Sequence, residues 1–572
     1  MKIRQVLRTV KESVVSIHQQ RDSGYDASEE PKLILVCALA AGTDQLVARI
    51  ALEEGYRLHV PIAFPRDEYM ARNFGSPQLQ EAREAFDKLY GIAESRMELD
   101  GGESETEAYD IAGTVLVSHS DLLLAVWDLG PGKGPGGTAD SVRKALEAGI
   151  PVVKFDATSP AEPVLDYRQG AALPLQDLKP LLRDILQQGL RPPHDLSAQD
   201  FEQTVDQYKE ERESLERFLG EPEKRMDWSG PYNIVIGLLA LKLPRLKFRL
   251  APYSDAVRKS WAPVPDARPD CARGFFQPLD LWPDSLAVYY ANWMRGIVAL
   301  SLILGSIIVD YVLAARLWNN AFPSWIETAT AAAAPLMALL IWLANHRDVH
   351  RRWLQYRMLS ENLRNAALAL AIGASPRRPK AYETWQDFAP SWVAFYTQAC
   401  VRGFGLGSAS LNADYLSDYR ALLADRVKGQ FKYHRRRSAL CNVLNRHVRR
   451  LVFAAFLITF LGAMLHIFHT LVHGQMREHV GEALVENVIK VSLEFTVLSA
   501  AIAALAAQEG FAKLAQASAN TAIHLNQLAA NIENAPLSGA AIRQQAERAT
   551  EELRREHEDW YLLYSLREIE YS

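Results

Sequence analysis

Cysteine is scarce. Four thiols, Cys37, Cys271, Cys400 and Cys441, are scattered through 572 residues, with no Cys-x-x-Cys pair and no Cys/His spacing of a metal site. That excludes a disulfide framework and points to buried thiols in a reducing compartment. Net charge is also small: -5 at pH 7 gives the whole chain no electrostatic footprint for nucleic acid. The start, MKIRQVLRTVKESVVSIHQQ, lacks the continuous apolar core of a signal peptide and reads as an amphipathic helix. The first third of the chain has no apolar run long enough to cross a bilayer, so it is expected to remain a water-soluble cytoplasmic domain.

What is present lies in the second half. Four apolar runs, 296–317, 328–344, 451–472 and 488–507, approach or reach membrane-spanning length. About 20 mostly apolar helical residues cross the hydrocarbon core. At 572 residues the chain is too long for one core. The expected fold class is an α/β Rossmann-like parallel sheet followed by an α-helical transmembrane bundle. The expected divisions are an α/β domain (1–195), a linker and juxtamembrane segment (196–284), a first transmembrane hairpin with its cytoplasmic helix (285–373), a cytoplasmic insertion (374–433), and a second hairpin with cytoplasmic helices (434–572).

In the soluble part, β-rich apolar runs at 32–39 (KLILVCAL), 57–63 (RLHVPIA), 121–127 (DLLLAVW) and 151–155 (PVVKF) alternate with helical patterns. Alternation of this kind implies a parallel, doubly wound sheet, with ligands at the carboxyl ends of the strands. Three loops fall at those ends. The first holds Ala41, Gly42 and Asp44. The second begins Phe64-Pro65-Arg66. The third runs from Asp128 through Lys133, Gly136, Gly137 and Thr138 to a helix containing Asp140. Glycines admit an anion close to the backbone, a helix start offers N–H groups, and Arg66 and Lys133 supply countercharge. A glycine-rich loop of this type also occurs as a plain surface connection.

CALAAGTDQLVARIALEEGYRL, PIAFPRDEY, AYDIAGTVLVSHSDLLLAVWD and GPGGTADSVRKALEAGIPVV, in that order over 31–156, resemble the SLOG superfamily. This Rossmann-like group includes the LOG phosphoribohydrolases, DNA-processing DprA proteins and the N-terminal domains of melastatin-type TRP channels. The resemblance implies a nucleotide or NAD-derived ligand; no other cofactor and no metal is implied. It also implies a strand with a Gly-x-Thr-Gly-His-Arg type turn ahead of the first helix, whereas this sequence opens at that helix. LOG enzymes carry a catalytic Glu three residues after the motif threonine. Counted from Thr138 that position is Ser141, beside Asp140. The resemblance therefore favours a binding module over a hydrolase, and no catalytic residue is assigned.

The linker holds an apolar decamer, 232–241, followed by Lys242, Arg245, Lys247 and Arg249, which suits either a membrane interface or a buried segment. Basic flanks at 346–352 (HRDVHRR), 434–437 (HRRR) and 446–450 (RHVRR) should face the cytoplasm. That places both termini inside an inner-membrane, multi-pass protein, with the connections after the first and third runs outside. Trp318, Trp325 and Trp342 sit near span ends, as interfacial aromatics do. Each pair of apolar runs precedes a long polar helix, the first carrying Trp353, Arg357, Glu361 and Arg364. This arrangement resembles the SLATT family, two-transmembrane-helix units found with SLOG domains in bacterial conflict systems and proposed to form pores.

Ionisable groups inside spans are functional candidates by default. Asp310 in the first run and Glu494 in the fourth suit either a pore lining or an outer interface. His466, His469 and His473 share a face of the third run, and Pro335 kinks the second, for gating or for packing. The expected function is a sensor–effector. A cytoplasmic domain binding a nucleotide-type signal would gate an oligomeric pore of several identical chains in the bilayer, in antiphage defence. The alternatives are a membrane-tethered nucleotide hydrolase using Asp140 or Asp128, and a non-catalytic scaffold.

Overall fold

A computed structural model describes residues 2–20, 23–25, 28–130, 132, 134–159, 162–167, 171–194, 198–224, 229–242, 270–317, 323–376, 391–473, 487–492, 494–496, 499–500, 502–503 and 510–565. Lys133, Arg245, Lys247, Arg249, Trp318, the connection 474–486 and part of the fourth apolar run lie outside them. So do the side chains of His469 and His473.

The N-terminal elements are Lys2–His18 (α1), Ile34–Val36 (β1), Thr43–Glu53 (α2), Arg57–Ile62 (β2), Arg66–Phe74 (α3), Gln80–Ile92 (α4), Ser95–Glu98 (β3), Glu105–Ser118 (α5), Leu123–Trp127 (β4), Thr138–Glu147 (α6) and Val152–Asp156 (β5); β1, β2, β4 and β5 fall on the apolar runs, whereas β3 and α3 are additions to the expected pattern. Two short strands, Val164–Tyr167 (β6) and Ala171–Leu173 (β7), and Leu178–Leu186 (α7) complete the layer. In β2 every residue after Arg57 is buried, which is why its run is apolar apart from His59, whose Nδ1 accepts from the Leu406 N–H. The start of α5 is fixed by Ser104, whose Oγ accepts from the Glu107 N–H at 3.2 Å, while Glu107 reaches back to the Glu103 N–H at 2.8 Å.

The strands form two four-stranded sheets, and this differs from the single sheet expected. One has the order β1-β2-β3-β8, all parallel, where β8 is Ala409–Ser410 from far downstream. The other has the order β4-β5-β6-β7, parallel between β4 and β5 and antiparallel beyond.

The rest is mostly helical: Ala198–Leu219 (α8), Gly230–Leu239 (α9), Asp270–Leu317 (α10), Ser324–His346 (α11), Val349–Ala371 (α12), Ser391–Phe404 (α13), Ala413–His473 (α14), Phe511–Glu533 (α15) and Gly539–Ser565 (α16). Three of these, α10, α11 and α14, contain stretches long and apolar enough to cross a membrane. Only 22, 11 and 11% of those stretches is buried within the chain. Large side chains such as Trp325, Phe453, Phe456 and Phe468 stand exposed on them. Apolar exposure on that scale calls for lipid or a partner.

Two elements extend past the expected divisions. The 48-residue α10 begins at Asp270, far ahead of the apolar run at 296, and tolerates Pro278 and Pro283 inside it. The 61-residue α14 begins at Ala413, inside the segment expected to be an insertion, and continues to His473. The decamer forms α9. It packs Leu239 and Ala240 against Leu444, Val448, Phe511 and Leu514 while leaving Leu238 exposed, so it is half buried segment and half open surface. Among the thiols, Cys37 and Cys441 are buried, Cys400 is half-buried, and none of these three forms a disulfide.

Candidate functional site

The two sheets present bare edges to one another. In the first sheet, Arg57 N–H bonds Leu33 C=O at 2.8 Å and Cys37 N–H bonds His59 C=O at 3.0 Å. Those bonds turn the odd-numbered residues of β1 toward β2, so Ile34 and Val36 aim their backbone groups the other way. In the second sheet, Leu123 N–H bonds Pro151 C=O and Ala157 N–H bonds Trp127 C=O, both at 2.9 Å. Leu124 and Val126 therefore aim theirs away from β5. Between these edges lies a cavity of about 530 Å³, lined by all of β1 and by Leu123, Leu124, Ala125 and Val126 of β4. Although it is wholly apolar, β1 is only half-buried at each residue for this reason.

Helices wall the cavity. Leu7, Val10 and Val14 of α1 line it, as do Ala112, Gly113 and Leu116 of α5. A further wall comes from Ser375 and from Gln398, Val401 and Arg402 of α13. At the closed end the Arg402 Nε–H bonds Asp121 at 3.1 Å, and Leu406 N–H bonds His59 Nδ1 at 3.1 Å. At the opposite end the Tyr69 hydroxyl donates to Ala38 C=O and the Tyr109 hydroxyl to Asn73, each at 3.0 Å. The carboxyl ends of β1 and β4 meet here, as the doubly wound pattern requires.

Two of the three expected loops share this mouth. Thr43 and Asp44 line it from one side, and Gly136, Gly137 and Thr138 from the other. Ala41 and Gly42 sit exposed on its rim, with Gly42 at φ 97°. Gly136 is at φ 81°, and a Cβ there would come 2.8 Å from the Tyr109 backbone, so only glycine fits. Gly137 caps α6 at φ -84° with no side chain over the helix start. A Cβ there would meet only the Gly134 carbonyl, at 3.6 Å. The N-terminal N–H groups of α6 thus open toward the cavity.

The carboxylates are occupied. Asp140 accepts from Gly136 N–H at 3.2 Å and pairs with Arg143 at 2.6 Å and Lys144 at 3.1 Å. Desolvation opposes its ionisation, but the Arg143, Gly136 and Lys144 hydrogen bonds outweigh it and hold the carboxyl far below the usual range. Asp128 accepts from Gly130 N–H at 3.1 Å inside its own turn. Asp44 accepts from Ala40 N–H at 3.3 Å, and desolvation pushes its carboxyl up. Burial pushes the Cys37 thiol well above its ordinary value, which removes it as a nucleophile. Arg66 does not reach the mouth: its guanidinium pairs with Asp87 at 2.6 Å on α4. Tyr69, Asn73, Tyr109 and the α13 residues are the site members that sequence reasoning missed. Their contact with β1 and β4 is tertiary and leaves no mark in local pattern.

In the apolar half, Asp310 of α10 and Glu494 of the fourth run, separate in sequence, are electrostatic neighbours. Asp310 Oδ1 is buried with no hydrogen-bond partner among the described residues. The third and fourth runs touch closely. Thr459 donates to Ser492 C=O at 3.1 Å and meets Thr496 at 2.9 Å. A Cβ at Gly462 would overlap Ser492 Oγ at 2.2 Å, the small-residue packing that lets membrane helices approach.

Below these helices Arg357, Glu361 and Arg364 of α12 form the centre of a buried charge cluster. Glu361 takes Arg357 at 2.5 Å, Arg426 of α14 at 2.9 Å, Arg364 at 3.4 Å and His557 of α16 at 3.5 Å. Arg364 also binds Asp280 at 2.8 Å and Asp284 at 2.6 Å on α10. Four helices are joined at one point. Trp353 packs edge-on against Trp560 and Tyr564 of α16.

Comparison with protein-family models, curated proteins and solved structures finds no match to this chain.

Proposed function

We propose that this protein is an inner-membrane sensor–effector, in which a nucleotide-type signal bound at the cavity mouth gates an oligomeric pore. One observation carries the reading: the segment that walls the cavity leads directly into the longest of the described helices. Edge strand β8 is hydrogen-bonded into the first sheet, and α14 starts at Ala413, three residues on. At 1.5 Å per residue its 61 residues reach roughly 90 Å, from the sheet to the end of the third apolar run. A ligand that favoured one spacing of the β1 and β4 edges over another would bias α13, β8 and the root of α14 together.

The SLOG-like reading is supported by the position of the gap. A strand leading into α1 and crossing right-handed to β1 would lie between β1 and β4. The SLATT-like reading is supported by α10, α11 and α12, a hairpin followed by a helix that is polar in sequence and locked by Glu361. A hydrolase gains nothing from the geometry, because Asp128 and Asp140 are both held in local hydrogen bonds. The setting the resemblances favour is antiphage defence ending in membrane disruption. No nucleic acid is involved in this reading.

The test is ion flux from liposomes containing the full chain, challenged with a panel of nucleotides and NAD derivatives. Flux that starts with one ligand class and is lost in Gly137→Val is the expected result. Liposomes that stay tight under every ligand would sink the channel. Topology has its own test: reporter fusions after residues 320 and 475 should read outside, and those after 374 and 572 inside.

A further inference from the structure

A second cavity, of about 420 Å³, lies where the apolar run of α10 begins and α11 ends. It is lined by Arg217 at the end of α8, Glu221 and Lys224 just beyond it, Tyr289, Tyr290 and Trp293 of α10, and Arg347 and Arg352 at the corner between α11 and α12. Trp293 is one turn ahead of the apolar run at 296, and Arg347 follows the last residue of α11. If those helices cross a bilayer, as the sensor–effector reading holds, this cup opens at headgroup depth.

Its charge is unbalanced. Four cations face two carboxylates. Glu221 accepts from Lys224 at 2.7 Å, Arg352 at 2.5 Å and the Tyr290 hydroxyl at 2.8 Å. Asp348 takes Arg217 at 2.9 Å. Arg347 has no carboxylate partner among the described residues and lies over the Trp293 ring at 5.6 Å. Tyr290 stacks Arg352 at 5.6 Å and Lys224 at 5.8 Å, and Tyr289 takes Lys224 at 5.6 Å. Glu221 and Asp348 offset two of the four positive charges, and the rings hold the cationic heads in place without offsetting the other two. The α12 helix starts at this corner with no side-chain cap, which adds N–H groups and the positive end of its dipole.

We propose that this cup binds the phosphate ester of an anionic phospholipid headgroup. Preorganised guanidinium and ammonium donors against aromatic walls suit a phosphate oxygen cluster, and two surplus positive charges at the bilayer surface select anionic over zwitterionic lipid. A soluble phosphate ester shares the chemistry, so the experiment must separate the two sources.

The full chain in detergent is delipidated and titrated with short-chain phosphatidylglycerol, short-chain phosphatidylcholine or inorganic phosphate. Binding is read by native mass spectrometry and thermal melting. The expected result is a preference of roughly tenfold for phosphatidylglycerol. It should be lost in Lys224→Gln/Arg347→Gln and kept in Arg435→Gln/Arg436→Gln, an exposed basic pair on α14. Arg347→Gln alone, at an exposed position, serves if the double variant melts early in phosphatidylcholine. Equal weakening in both pairs would make the effect a general basic surface and overturn the site. Equal stabilisation by inorganic phosphate would overturn the lipid assignment. A parent chain that shows no lipid selectivity yet resists carbonate extraction from membranes removes the cup alone, whereas full extraction of the parent removes the membrane reading beneath it.

Discussion

Ala409 lies in parallel register with Met97, and Ser410 with Glu98, so the strand that closes the first sheet comes from the helical half of the chain. The Leu411 N–H continues the ladder to Glu98 C=O at 2.8 Å. Nearby, Gly539 N–H bonds Asp100 at 2.6 Å and Arg543 bonds Gly373 C=O at 3.0 Å, which brings α16 to the same edge. The α/β layer and the helical bundle are thus built into each other instead of being strung on a linker. Four expectations about behaviour follow from that construction and from the two sites.

The glycine pair at the start of α6 separates fold from ligand. Gly137→Val should melt within a few degrees of the parent and lose nucleotide binding in calorimetry, because its side chain enters open space at the helix start. Gly136→Val should instead lower the melting temperature sharply. It forces a β-branched residue to φ 81° and against the Tyr109 backbone.

Amide exchange should alternate along the two bare edges. The N–H groups of Ile34, Val36, Leu124 and Val126 face the cavity and should exchange much faster than those of Leu35 and Ala125, which pair within their sheets. A ligand or polypeptide that fills the cavity should slow the first set and leave the second unchanged. Uniform protection of β1 without any addition would contradict the open edge.

The Glu361 cluster should make stability depend on pH from both sides. Burial alone would raise the Glu361 carboxyl, but Arg357, His557 and Arg364 hold it well below its ordinary value. Its contribution is present above the unfolded carboxylate pKa, near 4.3, and is lost as pH falls through the depressed folded value. Burial would lower His557, yet Glu361 and Glu556 raise it above 6.5. That contribution is present below the unfolded value and fades as pH rises through the raised one. Melting temperature should therefore decline toward alkaline pH in the parent and flatten there in His557→Gln. Glu361→Gln should cost about 3–5 kcal/mol, since it strands buried cations.

Asp310→Asn should change ion conductance or cation preference in liposomes without lowering expression. A carboxylate beside Glu494 in an apolar stretch repels anions and attracts cations if the path is wet. Unchanged flux and selectivity would make Asp310 an interfacial anchor.

Much of the α/β layer was legible because most of its strands carry largely apolar, β-rich runs. Arg57–Ile62 and Val152–Asp156 fall almost where the pattern put them. Ser95–Glu98, with the sequence SRME, carries no such signal, and it became a strand only because β2 and β8 flank it. The Arg357–Glu361 pair was readable from its i,i+4 spacing. That it would anchor four helices was not, because Asp280, Arg426 and His557 arrive from distant segments. Local composition thus determined which residues turn inward, which helices are apolar enough for a bilayer, and where glycine must stand, since those follow from period and hydropathy. Only the tertiary structure decided that the sheet divides into two, that the cavity runs between their edges, and that Ser375, α13 and Gly405 wall it. Pairing between strands hundreds of residues apart is set by packing, and no local preference encodes it.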